Sequence, residues 1–126
     1  MLDHVSIAVS DVRRSILFYE QALAPLGIGR LMAYGGTNDL PDHVGFGSER
    51  KPYLWLGKGN PIRGYVHIAL SAANRDAVNA FHAAALAAGG TDNGAPGLRP
   101  QYHAGYYGAF VLDPDGCNLE AVHHGF

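Results

Sequence analysis

The chain has 126 residues and a formal net charge of −2, with 48% hydrophobic and 16% charged residues. This composition predicts a single folded domain over residues 1–126 and excludes a disordered chain, a coiled coil and a basic nucleic-acid-binding protein. No apolar run approaches the roughly 20 residues of a membrane-spanning helix, so no membrane association is expected. The first residues, Met1-Leu2-Asp3-His4, show no basic region followed by an apolar core, so no secretion signal is expected. With Cys117 as its only cysteine, the protein is expected in the cytoplasm.

The sequence repeats itself at about half its length. The shift that aligns His4 with His67 also aligns Phe18 with Phe81 and several small or apolar residues of the following segment. This repeat predicts two modules, at about residues 1–58 and 63–126, with the Gly- and Pro-containing segment between them acting as a linker.

Each module is expected to begin with a strand followed by a helix. Residues 5–9 and 66–70 alternate between large apolar and smaller side chains, which is typical of a strand with one buried face. Asp11 and Asn74 precede apolar residues at helical spacing and are predicted N-caps. Gly27 is expected to end the first helix.

Three shorter strands should follow each helix, and turn residues separate them. The turn Asp113-Pro114-Asp115-Gly116 is the strongest of these signals, because Pro fixes its backbone angle and Gly accepts a positive φ. The fold class is therefore α+β, with two βαβββ modules whose curved mixed sheets pair into an open, barrel-like cavity. The strands are predicted at about 29–35, 43–47, 53–57, 91–101, 106–112 and 117–123.

Two histidines and one glutamate are predicted on the strand faces opposite the helices. His4 and His67 occupy equivalent positions of the repeat, and Glu120 lies on the otherwise apolar last strand. A single histidine on a strand is usually structural, but equivalent positions in two modules favour a shared site. Two imidazoles and a carboxylate suit divalent Fe, Mn, Ni, Co or Zn and leave coordination positions for a substrate.

These features resemble the vicinal oxygen chelate superfamily, which includes glyoxalase I, extradiol dioxygenases, fosfomycin-resistance thiol transferases and bleomycin-resistance proteins. The resemblance covers nearly the whole chain and is most specific over 110–120, which contains Asp-Pro-Asp-Gly-Cys-Asn-Leu-Glu. It implies that His4, His67 and Glu120 bind the metal. Trp55 falls at the fourth ligand position of the family, which implies weak or absent glyoxalase I activity because indole cannot bind a metal.

Further side chains are predicted around this centre. A proton would move through Glu120, His103 or Tyr107, because these groups can exchange or donate protons in a strand-lined cavity. The segment 99–107 is rich in polar aromatic residues, which also occur at sheet edges and interfaces. The predicted pocket-lining residues are Trp55, Arg99 and Tyr102.

Two functions of different classes follow from the sequence. The first is a small metal-dependent enzyme, a glyoxalase-like lyase or isomerase or a ring-cleaving dioxygenase, acting on a small oxygen-bearing substrate. The alternative is a non-catalytic protein of the bleomycin-resistance type that binds a drug or another small molecule. A fosfomycin-type transferase is less favoured, because the basic residues are scattered.

The assembly of the two modules has two solutions. The sheets can close on each other within one chain, or each can close on a module of a second chain. The resemblance implies a homodimer, with His4 supplied by one subunit and His67 and Glu120 by the other.

Overall fold

The computed structural model describes residues 1–125, and each half of the chain forms a βαβββ module. A short 3-10 turn at Ala24–Leu26 follows the first helix. The first module contains β1 (Val5–Val9), α1 (Val12–Leu23), β2 (Gly29–Tyr34), β3 (His43–Ser48) and β4 (Lys51–Lys58). The second contains β5 (His67–Ser71), α2 (Arg75–Ala87), β6 (Thr91–Leu98), β7 (Tyr107–Leu112) and β8 (Asn118–His123).

Both helices begin at the N-caps that the sequence predicts. The Asp11 carboxylate accepts a hydrogen bond from the Arg14 amide at 3.0 Å, and the Asn74 side chain accepts one from the Ala77 amide at 2.8 Å. Each cap satisfies an amide that has no partner within the helix. Helix α1 itself ends at Leu23, before the expected Gly27, and a 3-10 turn that contains Pro25 follows it. Gly27 ends this turn with a φ of 75°, a conformation that favours glycine.

The strands form two four-stranded mixed sheets of the same topology. Their orders are β1-β4-β3-β2 and β5-β8-β7-β6, with the β1–β4 and β5–β8 pairs parallel and the others antiparallel. Ser6 pairs with Trp55 in the first sheet, and Ala69 pairs with Glu120 in the second. Because Ser6 and Ala69 are equivalent in the repeat, Trp55 occupies the position of Glu120, as the sequence alignment predicts.

Each sheet has one face packed against a helix and one open face. Leu54 and Leu56 in the first sheet, and Leu119 and Ala121 in the second, are buried in the common core. The alternate residues of these strands point to the open faces. The predicted α+β class and the two βαβββ modules are thus confirmed.

The turn between β7 and β8 joins the second module to the first. Asp113 is buried and accepts a hydrogen bond from the Tyr19 hydroxyl of α1 at 2.5 Å. Its other oxygen accepts from the Asp115 and Cys117 amides at 2.9 and 2.8 Å, which closes the turn. The Asp115 carboxylate in turn accepts from the amide and hydroxyl of Ser10 at 3.1 and 2.5 Å.

These contacts set the modules side by side. Helices α1 and α2 contact each other, and no strand of one sheet pairs with a strand of the other within residues 1–125. The two sheets are not closed on each other, so their open faces remain accessible. Neither α1 nor α2, nor any other helix of residues 1–125, combines the length and hydrophobicity that a membrane span requires.

We predict that Tyr19→Phe lowers the free energy of unfolding by about 1–3 kcal/mol, because it leaves a buried Asp113 oxygen without a donor. Chemical denaturation followed by circular dichroism measures this change. Tyr53→Phe is the control, since it removes only a 3.2 Å contact with Ser48 in a partly buried position. Equal losses in the two variants would contradict the central role of the Tyr19–Asp113 contact.

Candidate functional site

A buried carboxylate lies at the centre of the open face of the second sheet. The Glu120 side chain is 1% exposed, although it is on the face away from α2. Its Oε1 lies 2.7 Å from Nε2 of His67, which is on the neighbouring strand β5. Its Oε2 accepts a hydrogen bond from the Tyr106 hydroxyl. A carboxylate in such a position needs partners on both oxygens, and here both have one.

The local backbone makes room for this arrangement. A Cβ at Gly108 would lie 3.1 Å from Oε2 of Glu120 and 3.2 Å from the Tyr106 ring. Glycine therefore allows the carboxylate and the phenol to meet above β7. Burial, followed by the hydrogen bond to Glu120, raises the pKa of Tyr106 above its ordinary value, so Tyr106 stays protonated and acts as a donor at neutral pH.

The tyrosine beside Glu120 is Tyr106 and not the predicted Tyr107. Tyr107 shares a face with Ala109 and Val111, as the strand alternation indicates, but this face packs against α2. Its hydroxyl donates to Oδ1 of Asn79 at 2.7 Å, and the Arg75 guanidinium lies 5.0 Å from its ring centroid. Tyr107 therefore supports the helix and lies away from the carboxylate.

Aromatic and imidazole rings surround Tyr106. The centroids of the Tyr102, His103 and His124 rings lie 4.9, 5.4 and 5.3 Å from that of Tyr106. Nε2 of His103 is 2.9 Å from Nδ1 of His124. The predicted residues Tyr102 and His103 thus lie behind Tyr106, one ring away from Glu120.

Phe110 and Arg99 extend the same open face toward β6. Phe110 pairs with Glu120 across the β7–β8 ladder, and its ring centroid is 6.0 Å from that of His67. The Arg99 guanidinium lies over the Phe110 ring, 5.4 Å from its centroid. The predicted pocket residue Arg99 is therefore on the same face as the carboxylate.

The open face of the first sheet is aromatic. Trp55 covers Gly45, where a Cβ would lie 2.9 Å from the indole ring. The Tyr34 ring is 5.6 Å from Trp55 and stacks on His43 at 4.5 Å. His4 lines an open cavity with Tyr34 and Trp55.

His4 is held by a carboxylate of its own module. Its Nδ1 lies 2.7 Å from Oδ1 of Asp3, which also accepts from Nζ of Lys51 at 2.7 Å. Hydrogen bonds from Lys51 and His4 lower the pKa of Asp3, so this carboxylate is ionised at neutral pH. When Nδ1 donates to Asp3, the lone pair of the imidazole lies on Nε2.

One chain does not bring the three predicted ligands together. His67 and Glu120 are in contact, whereas His4 lies on the face of the other sheet. Residues 1–125 contain no group of three His, Cys, Asp or Glu side chains able to hold a metal. The donor chemistry of His67 and Glu120 fits a divalent ion, but a third protein ligand would have to come from a second chain.

The family of the chain follows from its sequence and fold together. Residues 1–121 match the family model of the Glyoxalase/Bleomycin resistance protein/Dioxygenase superfamily. The chain belongs to this superfamily. Members of the superfamily commonly use divalent metals. No protein of curated function gives a match to the chain.

Solved structures of this superfamily are similar over most of the chain. A glyoxalase/bleomycin resistance protein from Albidiferax ferrireducens is 28% identical, with 95% of each chain covered and a TM-score of 0.74. An E144Q mutant of glyoxalase I from Zea mays is 26% identical over 94% of this chain and 45% of its own, with a TM-score of 0.65. TioX from Micromonospora is 16% identical, with 95% of each chain covered and a TM-score of 0.70, and shows likeness of fold alone.

Sequence reasoning did not place three residues beside Glu120. The residues that pack against α2 alternate with Tyr106, Gly108 and Phe110. The alternation along β7 therefore indicates that these three residues share the other face. Placing them beside Glu120 required only that Glu120 and Phe110 be assigned to the same face. His124 contacts the same cluster through its ring, but nothing in the local sequence indicates that the chain end returns to Tyr106.

We predict that Tyr106→Phe lowers the free energy of unfolding by about 1–3 kcal/mol, because it leaves Oε2 of the buried Glu120 without a donor. Tyr107→Phe is the matched control, since it removes a hydroxyl from the next residue on the opposite face, where the contact with Asn79 is exposed. Denaturation curves of the two variants measure the difference. A larger loss in Tyr107→Phe would contradict the assignment of Tyr106.

We also predict that Cys117 reacts slowly with alkylating reagents in the native protein. Burial, and then the nearby Asp113, raise the pKa of its thiol to about 12, so little thiolate is present at pH 8.5. The rate of iodoacetamide labelling, followed by mass spectrometry in native and denatured protein, checks this. Equal rates in the two states would contradict it.

Proposed function

We propose that the chain is a small metal-dependent enzyme acting on a small oxygen-bearing substrate, as a glyoxalase-like lyase or isomerase or as a ring-cleaving dioxygenase. The observation that carries this proposal is the buried carboxylate of Glu120 on an otherwise open sheet face. Burying a carboxylate has a cost in stability that a purely structural residue at this position would avoid.

The two oxygens of Glu120 have different partners and different proposed roles. Tyr106 holds Oε2, which fixes the orientation of the carboxylate. Oε1 faces His67 and is the oxygen that meets a ligand or accepts a proton from the substrate. The rings of Tyr102 and His103 pack around Tyr106.

The metal would be held by His67, Glu120 and His4 of a second copy. When bound, a divalent ion would polarise a substrate oxygen and stabilise the negative charge that develops on it. Asp3 supports this role for His4, because its contact with Nδ1 orients the ring and leaves Nε2 for ligation.

A homodimer of paired modules would complete this site. Within the described chain, His67 and Ala69 of β5 and Ser6 of β1 are exposed, although they lie on the faces that a barrel would enclose. The edge strand β2 also exposes Met32 and Tyr34. Covering these faces with a second copy would bury apolar surface and bring His4 to His67 and Glu120.

We predict one divalent metal per chain in the wild type, and less than about a tenth of that uptake in both His4→Ala and Glu120→Gln. Refolding the two variants together should restore one intact site per mixed dimer, because the intact His4 and the intact Glu120 come from different chains. Metal analysis of the mixed dimers, isolated with two different affinity tags, measures this. His82→Ala is the control, since this histidine contacts Asp92 away from the site.

Two results would contradict the proposal. Equal metal uptake by the wild type and by a His67→Ala variant would show that His67 is not a ligand. If the mixed dimers form but bind no metal, His4 of the second copy does not complete the site.

A non-catalytic binding protein is the second candidate, and the first module favours it. Trp55 replaces a carboxylate at the position equivalent to Glu120, and Tyr34 and His43 extend an aromatic surface beside it. Such a surface stacks on flat ligands without any metal. Quenching of Trp55 fluorescence by an aromatic ligand in metal-free protein, with the same affinity in Glu120→Gln, would favour this function over the enzyme.

A further inference from the structure

Two backbone carbonyls hold the Arg99 guanidinium in place. Its Nη1 donates to the carbonyl of Gly97 at 2.9 Å, and its Nη2 donates to the carbonyl of Ala95 at 2.7 Å. Within residues 1–125 Arg99 forms no salt bridge with a carboxylate, in contrast to Arg14, which contacts Asp115.

The strand beside Arg99 is shaped to receive the guanidinium. The β6–β7 ladder is irregular on both sides of Gly94, between Asp92 and Gly94 and between Gly94 and Gly97. A Cβ at Gly94 or Gly97 would lie 3.3 Å from a guanidinium nitrogen of Arg99. These glycines therefore let the guanidinium lie against the backbone, with one face over the Phe110 ring.

This geometry fixes the position of the Arg99 guanidinium and leaves some of its N–H groups free to donate to a ligand. A guanidinium has five N–H groups, and two nitrogens here each meet one carbonyl. A planar fork that is already held in place pairs well with a carboxylate, because little side-chain entropy remains to be lost. A single cation also balances the charge of one carboxylate better than that of a phosphate dianion.

The position relative to Glu120 defines the rest of the ligand. In the strand order β5-β8-β7-β6, Phe110 on β7 lies between His67 on β5 and Arg99, which directly follows β6. The Phe110 ring centroid is 5.4 Å from the Arg99 guanidinium and 6.0 Å from the His67 ring. A molecule bound to Arg99 at one end would cross this ring before it reaches His67 and Glu120. Its middle part would then be apolar and flat, to lie on Phe110.

We infer that Arg99 is a carboxylate-binding residue, and that the substrate has a carboxylate at one end, an apolar middle part and oxygens at the other end. This inference rests on the proposed function for the oxygen-bearing end, but the carboxylate subsite stands on Arg99 alone. Arg99 thus determines which oxygen-bearing molecules are selected.

The test compares 3,4-dihydroxybenzoate with 3,4-dihydroxybenzamide by isothermal titration calorimetry of the full-length protein. The two probes present the same ring and the same vicinal oxygens, so any contribution of a metal or of Glu120 cancels in the ratio of their Kd values. Wild type should bind the acid about 10-fold or more tightly than the amide. Arg99→Met should bind the two probes equally, and Arg99→Lys should retain part of the preference.

Arg75→Met is the matched control. Arg75 also lies over an aromatic ring of β7, 5.0 Å from the Tyr107 centroid, but on the face that packs against α2. Its loss should leave the ratio unchanged. If Arg99→Met does not fold, Arg99→Gln replaces it, since Gln keeps donors for the two carbonyls without the charge.

The outcomes separate this inference from the proposed function. Loss of affinity for both probes in His67→Ala, with the ratio retained, supports Arg99 and also the site at Glu120. Equal binding by His67→Ala and wild type, with the ratio still dependent on Arg99, overturns the proposed site and leaves the carboxylate subsite. Three outcomes overturn the inference. The first is an acid preference that persists in Arg99→Met, and the second is no binding of either probe. The third is that inorganic phosphate competes more strongly than benzoate in a manner that depends on Arg99.

Discussion

The arrangement of the whole chain depends on the buried carboxylate of Asp113. One of its oxygens closes the turn between β7 and β8, and the other accepts the Tyr19 hydroxyl from the helix of the first module. Asp115 adds contacts to Ser10, just before the N-cap of that helix. Because this turn is bonded to the other module, it holds the two modules side by side, and helices α1 and α2 pack together on one side of the sheets. The sequence motif of a local turn thus also supplies the hydrogen bonds between the modules.

The open faces are the consequence of this arrangement. Sheets that lie side by side cannot close on each other, so the surface that carries Glu120 and the surface that carries His4 stay apart within one chain. The core between the sheets and the helices is complete, whereas the candidate site has two of its three proposed ligands. The helix-packed core therefore lies within a single chain, whereas the proposed metal site would need His4 of a second copy.

The two modules share a backbone but differ in chemistry. At equivalent positions of the parallel ladders, the second module has Glu120 and the first has Trp55. The second module also holds the polar partners of its carboxylate, His67 and Tyr106, whereas the first has stacked rings. This division suits a site in which one module activates a polar group and the other covers the ligand with an aromatic surface.

The sequence by itself determined the repeat, the order of the elements and the helix caps, because these depend on side-chain alternation and on contacts between near neighbours. It also determined that Trp55 and Glu120 are equivalent, since the register of a parallel pair repeats with the module. Tertiary structure decided that Tyr106, and not Tyr107, contacts Glu120, because alternation separates two faces without showing which one α2 covers. It also decided that His4 lies away from His67, since the hydrogen bond from Tyr19 to Asp113 joins residues far apart in the chain and no local pattern contains it.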